Sequence, residues 1–260
     1  VNFEFIMLEE NLRLVQQRIA SAAERAGRDP REITLVAVSK TFPADAILAA
    51  HALGVRHFGE NRLEEAASKI PLVNQQLQTS QPSNHPTAIT WHLVGHLQSR
   101  KVKDAAALFD LVHSVDSVAL ARRLDSRAAA LGKTMPILLQ VNVSGEASKY
   151  GFAPEPREEF FDAAREILAL SHLDAQGLMT IAPIVAQPDD ARPRSAFHAL
   201  RALRDELCAR FPDCAWRHLS MGMTDDFEAA IAEGATIVRI GRAIFGERPR
   251  PTPPTPSPLS

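Results

Sequence analysis

The stretch LVAVSK, residues 35–40, decides how this chain is read. It is apolar at nearly every position, follows the breaker-rich segment 27–32, and ends on a lysine ahead of Thr41, Phe42 and Pro43. A short apolar run without polar alternation suits a parallel strand covered on both faces. The carboxyl ends of such strands form the mouth where α/β proteins carry their chemistry. Lys40 is therefore placed as a Schiff-base candidate, because burial in an apolar site lowers an ammonium's pKa and frees its lone pair for a carbonyl. The plainer alternative is a lysine that snorkels to solvent from a strand end.

Working outward, the same unit recurs along the chain. Residues 4–26 carry apolar side chains at Ile6, Leu12, Val15, Ile19 and Ala22, a helical period closed by Gly27. After LVAVSK, residues 44–53 read as a helix capped by Gly54, and residues 55–58 as a strand running into Gly59, Glu60 and Asn61, with a helix from Arg62. Residues 71–90, where the composition turns to QQLQTSQPSNHPT, read as an exposed loop. WHLVG at 91–95 precedes a helix from Gln98, and residues 111–113 precede a helix that starts at Asp116 or Ser117 and closes at Gly132. Further strand-like runs are PILLQVNV at 136–143 and the segments 173–179, 216–219 and 236–240.

About eight strand-like segments alternate with helical patterns, which is the arithmetic of a (β/α)8 barrel, here with an extra N-terminal helix. A doubly wound open sheet competes, but no G-x-G-x-x-G follows the first strand. The barrel is assigned to residues 1–248, and PRPTPPTPSPLS at 249–260 to a disordered tail, since it can form neither a helix nor a central strand.

Composition narrows the function. With 29 basic against 31 acidic side chains the formal charge is -2, which points to neither nucleic acid nor a membrane surface as partner. Cys208 and Cys214 show no metal-ligand spacing or disulfide framework. The opening residues lack a basic n-region and a cleavage-type site, and no apolar run nears the ~20 residues of a membrane span. The expectation is a cytoplasmic protein, monomeric by default.

In a barrel of this order the strand ends carrying Lys40, Asn61, His92, Asn142, Met179, Ser220 and Arg239 converge on one mouth. Ser220, Met221, Gly222, Met223 and Thr224 precede a helical pattern at 225–232, so a hydroxyl stands beside unpaired N–H groups, while Gly241 lets backbone amides approach a ligand. Loops after strands seven and eight are the usual phosphate site of these barrels; simple N-capping is the alternative for Ser220 and Thr224. A lysine facing a phosphate pocket suggests either pyridoxal 5'-phosphate (PLP) or a phosphorylated sugar held as a Schiff base by an aldolase. Arg239, if it points inward, would face the pyridine nitrogen and keep it unprotonated; a surface ion pair is its other reading.

The segments AVSK (37–40), FGEN (58–61), WHLVGHLQSRK (91–101), QVNVSGEASKYGF (140–152), GLMTIAP (177–183), HLSMGMTDDFEAAI (218–231) and VRIGRAIFG (238–246) together resemble the pyridoxal phosphate homeostasis protein family. The resemblance spans nearly the whole chain and implies a barrel similar to the N-terminal domain of alanine racemase, with PLP as cofactor. By motif, Lys40 is similar to the family's Schiff-base lysine. Ser220, Thr224, Gly241 and the amide of Arg242 resemble the phosphate grip, with Met221 beside Ser220 in the same loop. Arg239 resembles the arginine facing the pyridine nitrogen, and Asn61, His92, Asn142 and Met179 the pocket lining. The resemblance implies carriage or buffering of PLP, with apo PLP-dependent enzymes as partners, and influence on amino-acid and keto-acid balance without robust catalysis. A low-activity amino-acid racemase is the alternative, but two-base racemisation needs a second acid/base on the far face of the cofactor. The chain's only tyrosine, Tyr150, reads as a loop aromatic on the barrel rim.

Overall fold

The computed structural model describes residues 3–80, 88–146, 148–183 and 191–247. The tail assigned to 249–260 lies outside them. Eight parallel strands close into one barrel in chain order: β1 (Thr34–Val38), β2 (His57–Glu60), β3 (Thr90–Leu93), β4 (Leu111–Val115), β5 (Met135–Gln140), β6 (Leu173–Met179), β7 (His218–Ser220) and β8 (Ile237–Ile240), with β8 paired to β1. The barrel expected from the β-then-α alternation is what forms.

The outer helices are α1 (Phe3–Arg25), α2 (Ala44–Ala52), α3 (Leu63–Ser80), α4 (Val102–Leu108), α5 (Val118–Ala130), α6 (Arg157–Leu168), α7 (Arg192–Arg210), α8 (Phe227–Ala232) and α9 (Arg242–Phe245). After β8 the chain makes only the single turn of α9, so the helical ring would gape there. Helix α1 fills the place: it packs on α8, α9 and α2 through Leu8, Leu12, Val15 and Ile19, all buried. Two polar ties lock it, Asn11 Nδ2 donating to the Ile244 carbonyl at 3.1 Å and Arg18 pairing with Glu228 at 2.6 Å.

Alternation along the strands separates two cores. Ala37, Val112, Ile137, Leu139, Val238 and their like face the helices, while Val36, Leu111, Leu138, Met179 and Ile237 fill the barrel's interior. The interior is narrow. A Cβ on Gly59 would come within 2.9 Å of Val36 Cγ1.

Two expectations are corrected. The segment 71–90 is not all loop, because α3 runs through Pro71 to Ser80. Ala66, Ile70, Val73 and Leu77 fall at helical spacing and are buried, and that burial offsets the ~3 kcal/mol cost of an internal proline. The second strand begins at His57 rather than 55, since the Val55 N–H is taken by the Ala50 carbonyl at the end of α2. No helix among the described residues is long and apolar enough to cross a membrane.

Candidate functional site

At the carboxyl end of the strands lies a cavity of about 480 Å³. The structure brings Lys40, Asn61, Thr224, Arg239, Gly241 and Arg242 into its wall. Val38, Phe42, Val94, Ile181 and Met223 add an apolar surface that the sequence reading passed over. Their signal was available: each sits within four residues of a strand end and is apolar where a solvent-facing loop would be polar.

Lys40 follows β1 in a turn that is held from outside the barrel. The next residue, Thr41, has φ 70, an uncommon conformation for a side-chain-bearing residue. Lys69 on α3 donates to the carbonyls of Ser39 at 3.0 Å and Phe42 at 3.2 Å, and Glu65 accepts from the Thr41 N–H at 2.9 Å. Lys69 also pairs with Glu60 at 2.6 Å, and Ser39 Oγ donates to the same carboxylate oxygen at 2.7 Å. Glu60 is fully buried and burial pushes its carboxyl up, against the pull of Lys69. Glu60 thus anchors the Lys40 turn.

Lys69→Met leaves that carboxylate buried without its cation, a change worth about 3 kcal/mol of stability. Urea unfolding reads the loss, and adding Glu60→Gln, which removes the stranded charge, recovers most of it. An effect under ~1 kcal/mol would mean the pair is solvated in solution.

The loops after β7 and β8 face one another. Gly222 has φ 93, and a Cβ there would meet Ala230 Cβ at 2.7 Å, so the turn after β7 requires glycine. Neither Ser220 nor Thr224 N-caps α8; Asp226 organises that turn by accepting from the Met223 N–H at 2.6 Å. Gly241 approaches β1 so closely that a Cβ would sit 3.0 Å from the Val38 carbonyl oxygen. Arg242 and Asp225 join the two loops in an exposed ion pair of 2.6 Å.

Arg239 points into the barrel, not to a surface ion pair. It is buried, donating from Nη1 to Ser220 Oγ at 2.7 Å and from Nη2 to the Thr180 carbonyl at 2.9 Å. Burial lowers its pKa to about 10, with the charge of Asp226 working the other way, so it stays cationic at neutral pH. Ser220, fully buried, also lies 2.8 Å from His113 Nδ1. His92, Met179, Met221 and Ser220 lie buried beneath or beside the cavity and outside its lining. Asn142 is turned to the loop after β5, its Nδ2 donating to the carbonyls of Glu146 at 2.9 Å and Lys149 at 3.2 Å. Tyr150 stands on the rim, 56% exposed and stacked on His96 with ring centroids 3.7 Å apart. His96 Nδ1 is in turn 3.3 Å from Asp116 Oδ2.

This fold and its mouth are of the alanine racemase N-terminal class: the family described as alanine racemase, N-terminal domain, matches residues 8–249. The chain is 18% identical to alanine racemase of Clostridium difficile over 92% of this chain and 60% of that one, with a TM-score of 0.65, a likeness of fold. More specifically, it is 44% identical to the pyridoxal phosphate homeostasis protein of Pseudomonas aeruginosa, over 93% of this chain and 96% of that protein. The structure of PipY from Synechococcus elongatus with PLP bound matches at a TM-score of 0.73 and 38% identity, covering 89% of this chain and all of that one (100%). The chain belongs to the pyridoxal phosphate homeostasis protein family.

Proposed function

We propose that this protein binds PLP in the cavity at the strand ends, as a Schiff base on Lys40, and serves PLP homeostasis by holding the reactive aldehyde and releasing the cofactor to apo-enzymes. The observation that carries this reading is that Lys40 and Arg239 line one cavity that also has an apolar face, made by Val38, Phe42, Val94, Ile181 and Met223, and an edge formed by the close loops at Thr224 and Gly241. The volume suits a small aromatic ligand. PLP supplies an aldehyde for the amine and an electron-accepting ring. The chain's own groups then divide the work: Lys40 offers the amine, the amides about Thr224, Gly241 and Arg242 offer donors to a phosphate, and Arg239 offers a permanent positive charge to the ring nitrogen. The PLP-bound relative supports the ligand assignment.

A racemase role finds less support. Tyr150 is engaged with His96 at the rim and is not among the residues lining the cavity, and two-base chemistry needs a second proton donor across the ring.

The test is the absorbance spectrum of the purified protein with added PLP, before and after borohydride, with peptide mapping. A visible band that reduces to a pyridoxyl group on Lys40 supports the proposal. The absence of any band would sink it and favour a phosphosugar Schiff base. Amino-acid turnover assays on the loaded protein separate carrier from slow racemase.

A further inference from the structure

Beneath the cavity a row of side chains runs unbroken along the barrel's interior. His57 Nδ1 lies 3.0 Å from His92 Nε2, and His92 Nδ1 lies 2.8 Å from His113 Nε2. His113 Nδ1 lies 2.8 Å from Ser220 Oγ, which accepts from Arg239. Strand register builds the row. Gly59 is level with His92 and His92 with Leu111, so His57 stands two residues below His92, and His113 two residues above it. A step of one strand and two residues stays on the inward face, because successive side chains alternate. The row therefore climbs from His57, half-buried at the first residue of β2, to the arginine of the cavity.

Donor chemistry gives the row a direction. Arg239 is a donor only, so Ser220 accepts from it. The buried Ser220 hydroxyl then has His113 Nδ1 as the acceptor in reach, and turning its hydrogen elsewhere would orphan a buried donor at ~1–3 kcal/mol. A neutral His113 that accepts at Nδ1 carries its hydrogen on Nε2 and donates to His92 Nδ1. The same step repeats at His92. His57 accepts at Nδ1 and presents Nε2–H at the lower end.

Neutrality follows from the surroundings. Arg239 is hydrogen-bonded to a hydroxyl and a carbonyl, with no carboxylate in contact among the described residues. A second cation on the adjoining rings would be repelled by it, and by His218, which acts on both His92 and His113. The other charged groups near the row are Arg217 and Asp174, whose effects reach His218, and Asp226, whose effect reaches Arg239.

We propose that His57, His92, His113 and Ser220 are positioning residues: a neutral hydrogen-bond relay of one polarity that holds the Ser220 hydroxyl as an acceptor for Arg239 and so fixes the guanidinium at the cavity. Its consequence for PLP rests on Arg239 facing the ring nitrogen; the relay itself belongs to the unloaded protein.

Imidazole nitrogen NMR of the full chain, labelled with 15N-histidine and free of PLP, reads the tautomers directly. At neutral pH His57, His92 and His113 each show a single Nε2–H tautomer. Ser220→Ala removes the donor to His113 and moves the resonances of all three rings, His57 included. In a His92→Leu background the same substitution still moves His113 but leaves His57 unmoved. With PLP added, His92→Leu shifts the pH dependence of the visible band, and His92→Gln, which keeps a donor and an acceptor, restores it. A His113 in the Nδ1–H form, with or without PLP, overturns the proposal, since the Ser220 hydrogen would then face another acceptor such as the phosphate. So does a His57 resonance indifferent to Ser220→Ala. If His92→Leu does not fold, the unsubstituted chain and Ser220→Ala decide alone. Failure of PLP to bind would remove the cofactor reading and leave the tautomers standing.

Discussion

Lys40→Ala abolishes the visible band of the PLP-loaded protein and all borohydride labelling, while phosphate-dependent binding persists at an affinity lower by on the order of 100-fold or more. The reason is a division of labour within the cavity. The amine comes from one side chain after β1, whereas the loops after β7 and β8 are held by their own ties: the Asp226 carboxylate on the Met223 N–H, the Arg242–Asp225 pair, and the close approach of Gly241 to β1. None of these passes through Lys40. The turn that carries it is also held independently by Lys69 and Glu65 through backbone groups of Ser39, Thr41 and Phe42. The substitution therefore removes the nucleophile and leaves the frame. Lys40→Arg, which keeps a positive charge but cannot form the Schiff base, loses the band as completely. Equilibrium dialysis with PLP, with inorganic phosphate as competitor, measures what remains. A full-strength band in Lys40→Ala would place the Schiff base on another lysine, and loss of all phosphate-competed binding would count against a separate anchor.

The fold was legible because its signal is repeated: each apolar run and following helical pattern makes the same statement, and β6 is found at the residues 173–179 that the pattern marks. The α3 extension was hidden by composition. Between 71 and 80 the polar residues occupy the outer face, while Val73 and Leu77 alone keep the helix docked. At the site, strand-end position made part of the set legible: Lys40, Asn61 and Arg239 do meet in one cavity, while His92, Met179 and Ser220 are buried outside its lining. What could not be read were pairings set by register and by tertiary approach. Lys69 reaches Glu60 only because α3 folds back over β1 and β2. Asn142 stands at a strand end like the others, yet its amide serves its own loop. His57, His92 and His113 are 35 and 21 positions apart in sequence, and only the stagger of three strands puts their rings in line.

The same row makes the barrel sensitive to acid. His92 has its pKa lowered to about 3, by burial first and then by the neighbouring His57 and His218. His113, fully buried, is pushed well below the ordinary histidine value, by burial first and then by His92, Arg239 and His218. In the unfolded chain both rings titrate near ~6.5. Below that pH the unfolded state binds more protons than the native one, so stability falls as pH falls, and for His92 it keeps falling until about 3. At pH ~5.5 the two rings together cost about 3 kcal/mol, and across the whole window His92 alone costs on the order of 5 kcal/mol. Domains of this kind hold only ~5–15 kcal/mol in reserve. Glu60 and Asp226 act in the opposite sense, because burial raises both carboxyls and the native state takes up their protons first. Their proton uptake offsets part of the histidine loss. Urea midpoints at pH ~7.5, ~6.5 and ~5.5 should therefore drop with little change in m-value, and His92→Gln, which keeps a donor and an acceptor without a titrating ring, should flatten the slope by nearly one proton. A His92→Gln slope no flatter than that of the unsubstituted chain would mean that the row takes up protons in the native state, and with it the rings could not be neutral.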